Sequence, residues 1–200
     1  MKNLILYIVL SISYFAIMGC SSQINTEPPD PKLDKKIGRY FTDQPDVTDD
    51  YQIHFIYMLD QYGDDNEWDI NGQMEKELLE MNEKMFELTG GKQKYKFDYR
   101  KDGKLDISFI RINKTKKELK KSPSGSCGNV FGRTIINSGF NNPKKIYFNF
   151  GDYSFKEWPY SGGFPIFSIF NRHQKKYPLK KSEFGYFVLH EALHAMGGIY

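Results

Sequence analysis

The sequence predicts a mixed fold, an α/β or α+β sandwich built on one twisted sheet. Three observations point there. Aromatic residues, 16% of the chain, fall in short apolar or alternating runs of strand length. Met74, Leu78, Met81, Met85 and Leu88 recur at steps of four and three, the spacing of one helix face. A second helical segment follows the last strands. With 200 residues, 40% of them hydrophobic, the chain can bury one real core. The net charge of +3 arises from interspersed Lys and Asp/Glu without a basic stripe, so nucleic acid is set aside as a partner.

The elements follow in order. Lys2 and the apolar run 4–18 are too short for a comfortable membrane span and suit the core of a signal peptide, assigned to residues 1–19. Residues 20–50, broken by Pro28, Pro29, Pro31 and Pro45 and lacking any apolar period, read as a tether. The domain is expected over 51–200. Residues 51–59 form a buried strand, and the acidic stretch 60–69 a solvated loop whose spacing is not that of an EF-hand. The methionine-striped helix comes next, with Asn71 as N-cap and Gly90-Gly91 as stop.

Tyr95, Phe97 and Tyr99 alternate with polar residues, and Asp102-Gly103 signals a turn. Residues 105–112 form a strand. The basic run 114–121 is a solvated connection and 122–128 a loop. Strands are expected at 130–136 and 145–150. A Gly-, Pro- and aromatic-rich segment covers 151–178. Residues 182–196 form the last helix, capped by Ser182 and ended by Gly197-Gly198. Of the two cysteines, Cys127 reads as a plain unpaired thiol.

The last helix carries His190-Glu191-Ala192-Leu193-His194. Two His at i and i+4 lie one turn apart on one helix face, so their imidazoles can converge on a single ion. Zinc suits two nitrogens, a third ligand and an open water position. Glu191 is rotated away by about a quarter turn and is placed to act as general base on the water. Zn2+ is thus the expected cofactor, His190 and His194 its ligands, and Glu191 the catalytic residue. His54 and His173, the other two of four histidines, receive no role.

Two resemblances extend this reading. Ile17-Met18-Gly19-Cys20 at the end of the apolar run resembles the lipobox of bacterial lipoproteins. It implies lipidation at Cys20, membrane attachment and a place in the cell envelope, on the periplasmic side or the cell surface. His190 to Gly197, with Gly three residues after the second His, resembles the zinc motif of the metzincin peptidases. Over roughly 51–200 the chain looks most like the matrixins among them. Lys104 to Phe109 resembles their Asp-Ile-containing strand, and Gly128 to Gly132 the edge strand bordering their substrate cleft. Ile146 to Asn149, with Trp158 beyond, resembles the strand and Trp before their active-site helix.

The metzincin resemblance implies a mostly parallel sheet with an antiparallel edge strand, a backing helix and an active-site helix. It implies an endopeptidase whose peptide or protein substrate pairs with the edge at Val130, Phe131 and Gly132. Arg133 and Tyr147 stand about where matrixins carry the His ligands of a structural zinc, which argues against a zinc of that type. The third catalytic ligand is expected at Tyr200 or just beyond it, and the Met-containing turn of these enzymes after that. A chain continuing past Tyr200, an inactive binding module of the same fold, and a gluzincin-type peptidase with a Glu ligand on a later helix stay open as alternatives.

Overall fold

A computed structural model describes residues 34–121, 126–151, 160–162 and 167–171. Five strands form one sheet: β1 (Gln52–Leu59), β2 (Ile107–Arg111), β3 (Lys145–Gly151), β4 (Tyr160–Gly162) and β5 (Phe167–Asn171). Their order is β2-β1-β3-β5-β4. The first four in that order run parallel, and β4 closes the edge antiparallel to β5. Three helices are described: α1 (Gln73–Leu88), α2 (Lys116–Lys121) and α3 (Ser126–Asn137). The mixed α+β class is as expected.

Parallel strands need crossovers, and crossovers cover both faces of a sheet, so central strands read as continuous apolar runs. β1 behaves this way, and all eight of its residues are buried. Ile53, Phe55, Tyr57 and Leu59 face one layer, with Trp68, Phe97 and the α1 residues Met74, Leu78 and Met81. Ile56 and Met58 face the other, with Leu119 of α2 and Phe131 and Ile135 of α3.

α1 buries the predicted stripe as far as Met81, and Met85 is partly buried. Leu88, expected on that face, is 59% exposed because the helix ends there. Gly72 rather than Asn71 occupies the N-cap, in the left-handed region at φ 79°. Asn71 still contributes: its Oδ1 accepts the Gln73 N–H at 2.9 Å. Gly90 and Gly91 terminate α1 as predicted, at φ 65° and 77°, with the Gly91 N–H donating back to the Phe86 carbonyl.

Four expectations are corrected. Residues 130–136 are helical, within α3, not a strand. Phe131 and Ile135 are buried four residues apart while Arg133 and Ile136 are exposed, a 3.6-residue period; strand alternation would have carried Arg133 into the core beside them. The β-branched composition was overridden by tertiary packing. Residues 116–121 form α2, not an open connection, and bury Leu119. Thr115 and Glu118 cap it reciprocally, each side chain accepting the other's backbone N–H at 3.2 and 2.7 Å.

Residues 34–50 are not part of a free tether. The Arg39 guanidinium is buried over Phe109 at 4.0 Å. It donates to both oxygens of Asp69 at 2.7 Å and to both of Asp65 at 2.7 and 3.0 Å. Arg111 on β2 grips Asp34, and Tyr40 bridges Ser108. The acidic stretch 60–69 is correspondingly not a solvated loop throughout: Asp60, Trp68 and Asp69 are buried, and Asp65 and Asp69 serve Arg39. The segment 151–178 contains β4 and β5. Of the alternating residues, Phe97 and Tyr99 make only isolated bridges, Phe97 to Ile53 and Tyr99 to Leu105 across the predicted turn at Gly103, while the Tyr95 N–H donates to Asn82 Oδ1 at 2.7 Å.

Candidate metal centre

His190, Glu191, His194, Cys20, Cys127 and Tyr200 lie outside the described residues or have undescribed side chains, as does His173. The predicted substrate edge at Val130, Phe131 and Gly132 is corrected with α3: these residues sit on a helix packed against the sheet, and Phe131 is 1% exposed. A helix has spent its backbone donors and acceptors internally, so it cannot pair with an added strand.

A polar cluster occupies the N-terminal end of the parallel sheet. His54 is the third residue of β1 and is fully buried. In the parallel register it lies opposite Tyr147, two residues into β3 from Lys145. Asp106 immediately precedes β2, and its N–H donates to the Asp98 carbonyl at 2.9 Å. The Asp98 N–H in turn donates to the Ile53 carbonyl. Asp43 and Asp46 arrive from the segment before β1. Strand starts in adjacent parallel strands thus converge, and their polar residues are sealed by Phe140 and Tyr147, whose rings lie 5.3 and 5.7 Å from the imidazole.

The connections within it are short. His54 Nδ1 lies 2.8 Å from Asp98 Oδ2, 3.6 Å from Asp43 and 3.8 Å from Asp106. His54 Nε2 meets Ser108 Oγ at 3.1 Å. The Lys145 ammonium donates to Asp98 at 2.6 Å, Asp43 at 2.7 Å and Asp46 at 2.5 Å, which uses its three protons.

The charges respond accordingly. For Lys145, burial opposes the charge, but the three carboxylates outweigh it and raise the ammonium well above its ordinary value. Burial likewise works to raise Asp98, yet hydrogen bonds from His54 and Lys145 hold it low. Asp106 goes the other way. Burial, with Asp98 and Asp43 nearby, pushes it up to about 6, against the pull of His54 and the Gln44 N–H. Gln44 reaches Asp106 Oδ2 at 2.8 Å, while Asp106 Oδ1 is buried without a hydrogen-bond partner.

Asp43, His54, Asp98 and Asp106 each offer a ligand atom, all within 4.8 Å of one another, so the cluster can hold a metal ion. Sequence reasoning gave His54 no role. The available signal was a polar residue near the start of each of three strands: His54, Asp106 and Lys145. Joining them requires the strand order β2-β1-β3, which no local pattern contains.

No family model matches the chain, and no curated protein is significantly similar to it.

Proposed function

We propose that the chain is a zinc-dependent metalloendopeptidase held in the bacterial cell envelope through lipidated Cys20. The observation that carries this reading is His190-Glu191-Ala192-Leu193-His194 followed by Gly197. The donor set suits the ion: two histidines at i and i+4, a spacing that on a helix brings both imidazoles to one face, would hold zinc, with Glu191 between them for proton transfer. A mostly parallel sheet with one antiparallel edge strand, as the metzincin resemblance implies, supports it.

His190 and His194 would hold the zinc, which when bound would supply Lewis acidity to a peptide carbonyl and to water. Glu191 would accept a proton from the attacking water and deliver it to the departing amine. With α3 removed as a candidate edge, the substrate is assigned to β4, where an extended peptide would add through backbone hydrogen bonds.

Glu191→Gln tests the reading directly. The variant keeps both histidines and should retain zinc by elemental analysis, while peptide hydrolysis falls by 100-fold or more, in the range of a lost general base. Unchanged turnover at saturating substrate would remove Glu191 from the mechanism. Equal zinc in the His190→Ala, His194→Ala and parent chains would remove the ligand assignment.

A further inference from the structure

We propose that Asp43, His54, Asp98 and Asp106 bind a divalent first-row cation, Mn2+ or Zn2+, that clamps the segment 34–50 onto the sheet. This site shares no residue with the His190/His194 pair and does not depend on the peptidase reading.

The spacing suits one ion. Opposite ligands on a cation lie about two bond lengths apart, roughly 4.0–4.4 Å for bonds of 2.0–2.2 Å. The four ligand atoms lie within 4.8 Å of one another, so only small adjustments are required. They come from four places in the sequence: the segment before β1, β1 itself, the stretch that bridges to it, and the lead into β2.

The imidazole stands at the meeting point of the carboxylates: His54 Nδ1 lies 2.8 Å from Asp98, 3.6 Å from Asp43 and 3.8 Å from Asp106, and Nε2 meets Ser108 Oγ at 3.1 Å. A cation taking the place of the Nδ1 proton would join the nitrogen to the three carboxylates, with Ser108 as the outer partner that orients a ligating imidazole.

Asp106 supplies the independent observation. It is 1% exposed, and Oδ1 has no donor. The protons of Lys145 go to Asp43, Asp46 and Asp98, none of them to Asp106. Oδ2 is the oxygen that faces His54, at 3.8 Å from Nδ1, and ligation through both Asp106 oxygens would give buried Oδ1 the partner it lacks.

The ligand types select the ion. Calcium and magnesium prefer oxygen throughout, whereas an imidazole with carboxylates suits Mn2+ or Zn2+. The Lys145 ammonium sits on the same atoms that face His54, Asp98 Oδ2 and Asp43 Oδ1, so the ion would share them with it or displace it. The ammonium's charge limits the affinity through like-charge repulsion.

The test uses the full chain carrying His190→Ala and His194→Ala, so that any ion bound is not held by that pair. Titration with MnCl2 and with ZnCl2 is followed by calorimetry, by elemental analysis after desalting and by the melting temperature. We expect one ion per chain and a higher melting temperature with metal. Asp106→Asn, nearly isosteric, should weaken binding at least tenfold while the metal-free protein still melts cooperatively. Lys145→Gln should bind more tightly than its parent. No bound ion in the parent, or equal binding by the Asp106→Asn chain, would overturn the proposal. So would an ion found only in Lys145→Gln, because the ammonium would then be the resident cation.

Discussion

Asp65 shows how one residue couples the chain's beginning to its middle. Burial works to raise it, but hydrogen bonds from Arg39 and Lys36, then the Glu67 N–H, hold it well below its ordinary value of 3.8. The sign of the consequence is fixed. A carboxyl depressed by folding contributes stability above its unfolded value, and that contribution is lost as pH falls through the folded value. Unfolding free energy should therefore drop as pH is lowered from about 4, and Asp65→Asn should flatten that limb. Denaturant melts of both chains between pH 2 and 6 measure it; identical acid slopes would show that the ion pair is not felt. Asp65 also marks a limit of sequence reading. An acidic stretch with no metal spacing is most simply a wet loop. Its actual partner, Arg39, is 26 residues away in a segment whose prolines and charges suggested no structure.

At the scale of elements, what was legible followed periodicity. β1, α1 and its double-glycine stop, and β3 are where apolar spacing and turn residues put them. α3 was misread because Val130, Phe131, Thr134, Ile135 and Ile136 favour strands by type, and only the burial of every fourth residue reveals the helix. The contrast can be measured. Ile135 is fully buried, so Ile135→Ala should cost about 2–5 kcal/mol, whereas exposed Arg133→Ala should stay within about 0.5 kcal/mol. In a strand the two would share a face, and similar costs in chemical denaturation would restore the strand. α2 carried a readable signal in Thr115-Lys116-Lys117-Glu118, a capping box hidden by the surrounding lysines. Thr115→Ala should cost about 1 kcal/mol, the ordinary worth of such a cap, by the same measurement.

For the molecule as a whole, the packing of residues 34–50 bears on the proposed lipid anchor. A tether over 20–50 would let the domain range up to about 100 Å from a lipidated Cys20, at about 3.5 Å per extended residue. The fold instead includes Asp34, held by Arg111, and Arg39, buried among Asp65 and Asp69. Under the proposed anchor, residues 21–33 would be the link between Cys20 and the domain, reaching at most about 45 Å when fully extended. Under the lipoprotein reading, this keeps Ile37, fully exposed beside that junction, near the bilayer. A fluorophore at Ile37→Cys, with Cys127→Ser to avoid double labelling, should transfer energy to acceptor-labelled headgroups in vesicles carrying the protein. Replacing Arg39 with Met should weaken that transfer. It leaves Asp69 buried without its partner, a loss of about 3–5 kcal/mol where a buried pair is broken, and frees the segment to extend. Cys20→Ala should abolish the signal and move the protein to the soluble fraction. Membrane fractionation unchanged by Cys20→Ala would exclude the lipid anchor. Equal transfer from the Arg39→Met chain would show that the segment does not set the distance.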